Sequence, residues 1–97
     1  IVSLTVRNQW KDGHVERRND TIGKWYRDVV NETGVEFVDV HNLIADYLEK
    51  HYKDDKSAAE YFKKDHTHTS LKGAKNNAKM VAKGLKAIHS ELSKYLK

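Results

Sequence analysis

The spacing of apolar residues changes several times along the chain, and each change marks an element. Ile1 to Val6 (IVSLTV) is a β-branched apolar run with little polar alternation, the pattern of a strand buried on both faces. Residues 7–20 (RNQWKDGHVERRND) are polar, carry the turn signal Asp12-Gly13, and predict a long loop of the kind that bears function. Asp20 or Thr21 can cap the helix that follows, in which Ile22, Trp25, Val29 and Val30 form one stripe and Gly34 supplies the left-handed C-terminal residue. Val35 to Val40 (VEFVDV) predicts a second strand. Strand, helix and strand in that order make a βαβ unit with a right-handed crossover, so the two strands are expected to be parallel.

A second helix is predicted from His41 or Asn42, with Leu43, Ile44, Tyr47 and Leu48 on its buried side, ending near Lys53 to Lys56. A short helical turn around Ser57 to Phe62 leads into Lys64-Asp65-His66-Thr67-His68-Thr69. Leu71, Ala74, Ala78, Val81, Leu85, Ile88, Leu92 and Leu96 then repeat at steps of three and four behind Thr69 or Ser70 as N-cap, which predicts a helix of roughly 25 residues burying one face. Trp25, Tyr26, Tyr47, Tyr52, Tyr61, Phe62 and Tyr95 fall at helical spacings and are expected in or beside the core. No internal repeat or low-complexity linker interrupts this order. Two parallel strands leave apolar faces and edges that larger, helix-covered sheets bury. The expected fold is therefore α/β, a partial three-layer α/β/α sandwich with about two parallel strands and three to four helices. Residues 1–97 read as the C-terminal portion of one larger domain.

Composition narrows the chemistry. The 97 residues contain no cysteine, which removes disulfides and thiolate metal sites. No apolar run approaches the roughly 18 to 20 residues of a membrane span, so no membrane partner is expected. The net charge of +4 is unevenly placed: residues 71–97 hold seven lysines against Glu91, a net +6, and residues 1–70 carry −2. Those lysines fall mostly on the polar side of the last helix with no nucleic-acid-binding signature beside them, and read as a solvated face rather than a nucleic-acid footprint.

In a parallel sheet, ligands bind outside the carboxyl ends of the strands, here the loop after Val6 and the turn after Val40. The segment before the last helix can reach the same rim and holds Asp65, His66 and His68. A carboxylate three residues before an imidazole can accept its Nδ1–H, fix the tautomer and leave Nε2 as a base. Taken alone, Asp65 and His68 read better as part of a helix-capping loop. Asp39 and His41 lie near the rim, but a carboxylate there bonds neighbouring backbone and a histidine there starts a helix. His66 and His68 lack further ligands at metal-binding spacing, so no metal site is expected.

The segments TVRNQW, ETGVEFVDVHNLIADYLEK and FKKDHTHTSLKGAKNNAKMVAKGLK, in that order, resemble the second half of SGNH (GDSL-type) hydrolases, particularly rhamnogalacturonan acetylesterase-like carbohydrate esterases. The most specific piece is Asp65-His66-Thr67-His68-Thr69 with Gly73-Ala74 following, similar to the family's last block, in which aspartate, two intervening residues and histidine run into the final helix. The resemblance spans most of this chain and about two-fifths of a family domain. It implies a flavodoxin-like SGNH fold, His68 as the general base that activates a serine hydroxyl, and Asp65 as the group that orients and stabilises the imidazolium. His66 takes an intermediate position where the family often has glycine. The family's Gly-Asp-Ser nucleophile segment and oxyanion blocks have no counterpart here, and Ser3, Ser57, Ser70, Ser90 and Ser93 lie in no such setting.

The resemblance further implies acetyl esters on a pectic polysaccharide as substrate, no organic cofactor and no metal, and a secreted or periplasmic location that follows from the substrate class alone. Residues 7–20 would form one bank of an open site, with Arg7, Asn8 and Trp10 as sugar contacts, Trp by stacking and Arg by pairing with uronate carboxylates. Packing under its own loop suits Trp10 equally, and a local salt bridge suits Arg7. The competing reading is a non-catalytic carbohydrate-binding or structural module in which Asp65 and His68 only cap a helix. On the esterase reading the missing N-terminal portion of the domain, in the same or another chain, is a required partner, and the 97 residues alone are expected to be inactive.

Overall fold

The core is built around one helix. In the computed structural model, which describes residues 1–96, α2 (Val40–His51) places Val40, Ile44, Ala45 and Leu48 on one side, all fully buried. It starts at Val40, ahead of the expected His41, because the Asp39 carboxylate accepts the Asn42 N–H at 3.2 Å and caps it there. Lys50 and His51 in its last turn suit the negative end of the helix dipole. Val6, Val15, Val38, Tyr61 and Phe62 close around it.

The third helix, α3 (Leu71–Ala87), packs on α2 with Met80, Val81 and Leu85 against the core. Gly73 and Gly84 are its only buried residues, because they mark the points of closest approach. A Cβ on Gly84 would collide with Val38 Cγ1, and one on Gly73 with the Tyr61 carbonyl oxygen. The Tyr61 hydroxyl reaches α3 as well, bonding Asn77 and accepting from Asn76 Nδ2 at 2.9 Å.

The two expected strands are reduced to a single parallel bridge, Val2 to Val38. Ser3 N donates to Val38 O at 3.0 Å and Val38 N to Ile1 O at 2.8 Å, and neither segment continues as a regular strand. With only two segments to pair, each lacks a second neighbour that would hold it extended. The regular sheet lies instead in the segment read as loop: β1 (Trp10–Lys11) and β2 (His14–Val15) pair antiparallel. Asp12 and Gly13 join them at φ 52° and 79°, the two positive values that a type I′ hairpin turn demands. The described residues thus form a small mixed α/β domain of three α-helices, two 3₁₀ turns and one two-stranded antiparallel hairpin.

α1 (Ile22–Thr33) forms where its stripe predicts, and Gly34 ends it in the left-handed conformation at φ 71° with its N–H on Val30 O. Thr21 precedes it without a capping side-chain bond, and no α1 residue is buried. Trp25 stands 65% exposed, and Tyr95 and Leu92 are also exposed, against the expectation of core or half-buried positions. α3 has 17 residues rather than roughly 25. His89 adopts φ 54°, and Ser90 then starts a separate 3₁₀ turn, Glu91–Tyr95, its hydroxyl accepting from Leu92 N. Leu71, Ala74, Ala78 and Ile88 are exposed, and Val81 and Leu85 are the members of the apolar repeat that pack against the core.

Candidate active site

Residues 63–68 form a tight loop between two fixed points. Phe62 and Thr69 make an antiparallel bridge, Lys63 N donates to His68 O at 2.8 Å, and Ser70 N donates to Tyr61 O at 3.1 Å. Ser70 Oγ donates to Glu60 O at 2.7 Å and accepts from Gly73 N at 3.2 Å. The N-cap of α3 is therefore Ser70, and neither Asp65 nor His68 caps that helix.

Inside the loop, Asp65 uses both carboxylate oxygens. Oδ1 accepts the backbone N–H of Thr67 at 2.9 Å and of His68 at 2.7 Å, while Oδ2 stands 2.6 Å from His68 Nδ1. An ionised carboxylate only accepts, so Nδ1 carries the proton, and Nε2 is left with no hydrogen-bond partner among the described residues. The His68 backbone N–H, then its ring, then the Thr67 N–H hold the Asp65 carboxyl well below the usual carboxylate range. Both side chains are open to solvent, His68 at 71% and Asp65 at 50%. The spacing of three thus yields an oriented imidazole with a free basic nitrogen.

The three candidate sugar contacts separate. Asn8 is buried and both ends of its side-chain amide are bonded: Nδ2 donates to Asp55 O at 2.9 Å and Oδ1 accepts from Trp10 Nε1 at 2.8 Å, while the backbone N–H donates to His66 O at 2.8 Å. Asn8 thereby ties the hairpin to the loop that carries the dyad. Trp10 is half-buried against the core, and with Asn8 and His66 it borders an open groove. Arg7 lies apart from them, on a cavity that it shares with Thr67.

Among the described residues, no serine hydroxyl bonds to His68. Ser3 lies buried against Val38 O and His41 N, Ser57 accepts from Lys53 N and Asp54 N, Ser70 holds α3, and Ser90 donates to Glu36. No three His, Cys, Asp or Glu among the described residues gather as a metal site, and no described helix is long and apolar enough to cross a membrane.

Two polar clusters beside the site escape sequence reasoning. Arg17 bonds Asn42 at 3.0 Å, Asp46 at 2.6 Å and Glu49 at 3.2 Å, and Glu49 also accepts Val15 N, so this fork fastens the hairpin to α2. Desolvation opposes the Arg17 charge, but the bonds and charges of Asp46 and Glu49 outweigh it and hold the guanidinium pKa above its ordinary value. His41 is buried, its Nδ1 on Leu4 O at 3.2 Å and its Nε2 accepting from Arg18 N at 3.2 Å. The i, i+4 and i+7 spacing of Asn42, Asp46 and Glu49 on α2 was the available signal for the Arg17 cluster. Nothing local pairs His41 with Arg18.

Compared with known proteins, the chain matches no protein-family model, no curated protein and no solved structure.

Proposed function

We propose that this chain supplies the Asp-His part of a Ser-His-Asp triad in an SGNH-type serine esterase, similar to the rhamnogalacturonan acetylesterases, that removes acetyl groups from a pectic polysaccharide. The observation that carries the reading is the 2.6 Å contact between Asp65 Oδ2 and His68 Nδ1 with Nε2 unpartnered and open to solvent. In this role Nε2 takes the proton of a serine hydroxyl as that oxygen bonds to the ester carbonyl carbon, and returns it to the leaving sugar oxygen. Water then repeats the sequence on the acyl-enzyme and releases acetate. Asp65 keeps the ring in the tautomer that can accept and stabilises the imidazolium.

The serine and the oxyanion donors belong to polypeptide outside these residues, as part of the three-layer domain whose remaining strands would cover Val2, Val35 and α1. The 97-residue chain alone therefore has an oriented base with nothing to activate, and no acetate release from acetylated pectin is expected of it. In the assembled esterase, His68→Ala and Asp65→Asn should each lower kcat by about 10⁴-fold with KM little changed. Hydrolysis unaffected by either variant would reject the triad role.

One observation favours a second reading. Asp65 Oδ1 already serves two backbone N–H groups, so the carboxylate also shapes its own loop. A scaffold or sugar-binding module needs no more than that. The two separate on Asp65→Asn, which keeps an acceptor for those N–H groups yet loses the charge that fixes the imidazole.

A further inference from the structure

Among the described residues His41 is the only buried histidine, and the esterase chemistry makes no use of it. Its ring is held between two backbone groups whose roles cannot be exchanged. The Arg18 N–H can only donate, so Nε2, 3.2 Å away, is unprotonated; the Leu4 carbonyl can only accept, so Nδ1, also at 3.2 Å, carries the proton. The ring is thereby fixed as one neutral tautomer. His41 N donates to Ser3 Oγ at 2.9 Å in the first turn of α2, where the helix dipole opposes a positive charge.

The other end of the Arg18 contact carries the start of α1. Thr21 offers no side-chain cap, and the Arg18 carbonyl stands in for one by accepting Gly23 N at 2.8 Å and Thr21 N at 3.4 Å. No α1 residue is fully buried, so this first turn depends on that carbonyl more than on packing.

We propose that His41 is an acid-sensitive latch: a proton on Nε2 sets one N–H against another and releases the Arg18 turn together with the first turn of α1. Imidazole is the side chain whose charge changes between about pH 5 and 8. The latched form has no room for the second proton and the released form has, so acid shifts the population towards release. Arg18, Arg27 and Asp39 border the ring on the cleft at one side, and Arg7, Glu16 and Arg18 on the cavity at the other. None of these side chains bonds to it: the Asp39 carboxylate is taken by Asn42 and Arg27 by the Asn19 carbonyl, so no carboxylate is bonded to the ring to hold an imidazolium in the latched fold. The Asn19 side chain keeps its two bonds to Asn42, which confines the release to residues 18–23. Release loosens the α1 wall of the cleft lined by Ile22, Tyr26 and Phe37.

The test is NMR of the ¹⁵N-labelled 97-residue chain from about pH 8 to about pH 5, following the His41 ring nitrogens, the Arg18 and Gly23 amides and hydrogen exchange at Gly23. At the upper end the ring should show the Nδ1–H tautomer. As it takes up the second proton, both amides should shift along the same curve, and Gly23 exchange, corrected for its intrinsic pH dependence, should accelerate about tenfold while the Leu48 amide in α2 stays unchanged. His41→Gln, which keeps an acceptor but takes no proton, should remove the response; if that variant does not fold, the parent chain decides alone. An Nε2–H tautomer at the upper end, a ring that stays neutral throughout, or a ring that titrates while Arg18 and Gly23 remain still each overturns the latch. A response that persists in His41→Gln belongs to Asp39, Glu16 or another bordering group and overturns it as well. His68→Ala should leave the response intact, so the latch stands or falls separately from the dyad, and loss of the response in that variant would overturn it.

Discussion

α1 and α2 are helices of the same length and each carries an apolar stripe, yet one is the centre of the molecule and the other has no fully buried residue. α2 has five buried residues and α1 has none. The difference lies in their partners. α2 meets α3 and the hairpin, and its Tyr47 ring lies 6.1 Å from that of Tyr61, whereas α1 touches the body mainly through half-buried side chains such as Tyr26, whose ring lies 6.3 Å from that of Phe37. An amphipathic stripe states what a helix is able to bury, and the rest of the fold decides whether it does.

Substitutions can break that contrast, and the largest expected effect is at its centre. Leu48→Ala empties a fully buried site beneath α3 and should cost about 2–5 kcal/mol of unfolding free energy, read by urea titration. Next comes Gly84→Ala, where two effects oppose each other. Alanine gains up to about 1 kcal/mol in helix propensity, but its Cβ meets the buried and stiff Val38, and overpacking of that kind costs about 1–3 kcal/mol. The clash should win, so a more stable Gly84→Ala protein would mean that α3 sits farther from Val38 than described. Trp25→Ala on α1 should change stability by no more than about 0.5 kcal/mol despite removing the largest side-chain type. A cost comparable with that of Leu48→Ala would erase the distinction between the two helices.

The smallest effect is electrostatic. Asp65 is depressed in the folded chain, so the unfolded chain takes up its proton first as pH falls. Its contribution is fully present above the ordinary aspartate value, begins to fade near pH 4 and is gone below the folded-state value. The stability difference between the parent chain and Asp65→Asn should therefore shrink as pH falls below about 4. A difference that keeps growing below that pH would contradict the observed bonding.

The elements read best from the sequence are those set by neighbours a few residues away. Gly34 ends α1 as expected, Asp12-Gly13 turns the chain, and Ile44 and Leu48 form the inner face of α2. The two expected parallel strands do not form: Val2 and Val38 meet in one isolated parallel bridge, because extended backbone needs neighbours on more than one side. The apolar repeat through Ile88, Leu92 and Leu96 gave no warning that α3 stops at Ala87, since the break is made by the His89 backbone and by the Ser90 hydroxyl bonded to Glu36. Within the site, Asp65 and His68 were legible because their contact is local. Asn8 was not, because its three partners lie 2 to 58 residues away.

The loop that carries the dyad is closed almost entirely by main-chain atoms: the Phe62–Thr69 bridge, the Lys63–His68 bond and the His66 carbonyl that receives Asn8 N. Apart from Asp65 and His68, its side chains contribute little to that closure, and Lys63, Lys64 and His66 all point their exposed surfaces to solvent. Sequence at those three positions is free to drift while the frame stays fixed. A lineage could therefore retune the charge and bulk around the base one substitution at a time, without passing through intermediates that misplace it.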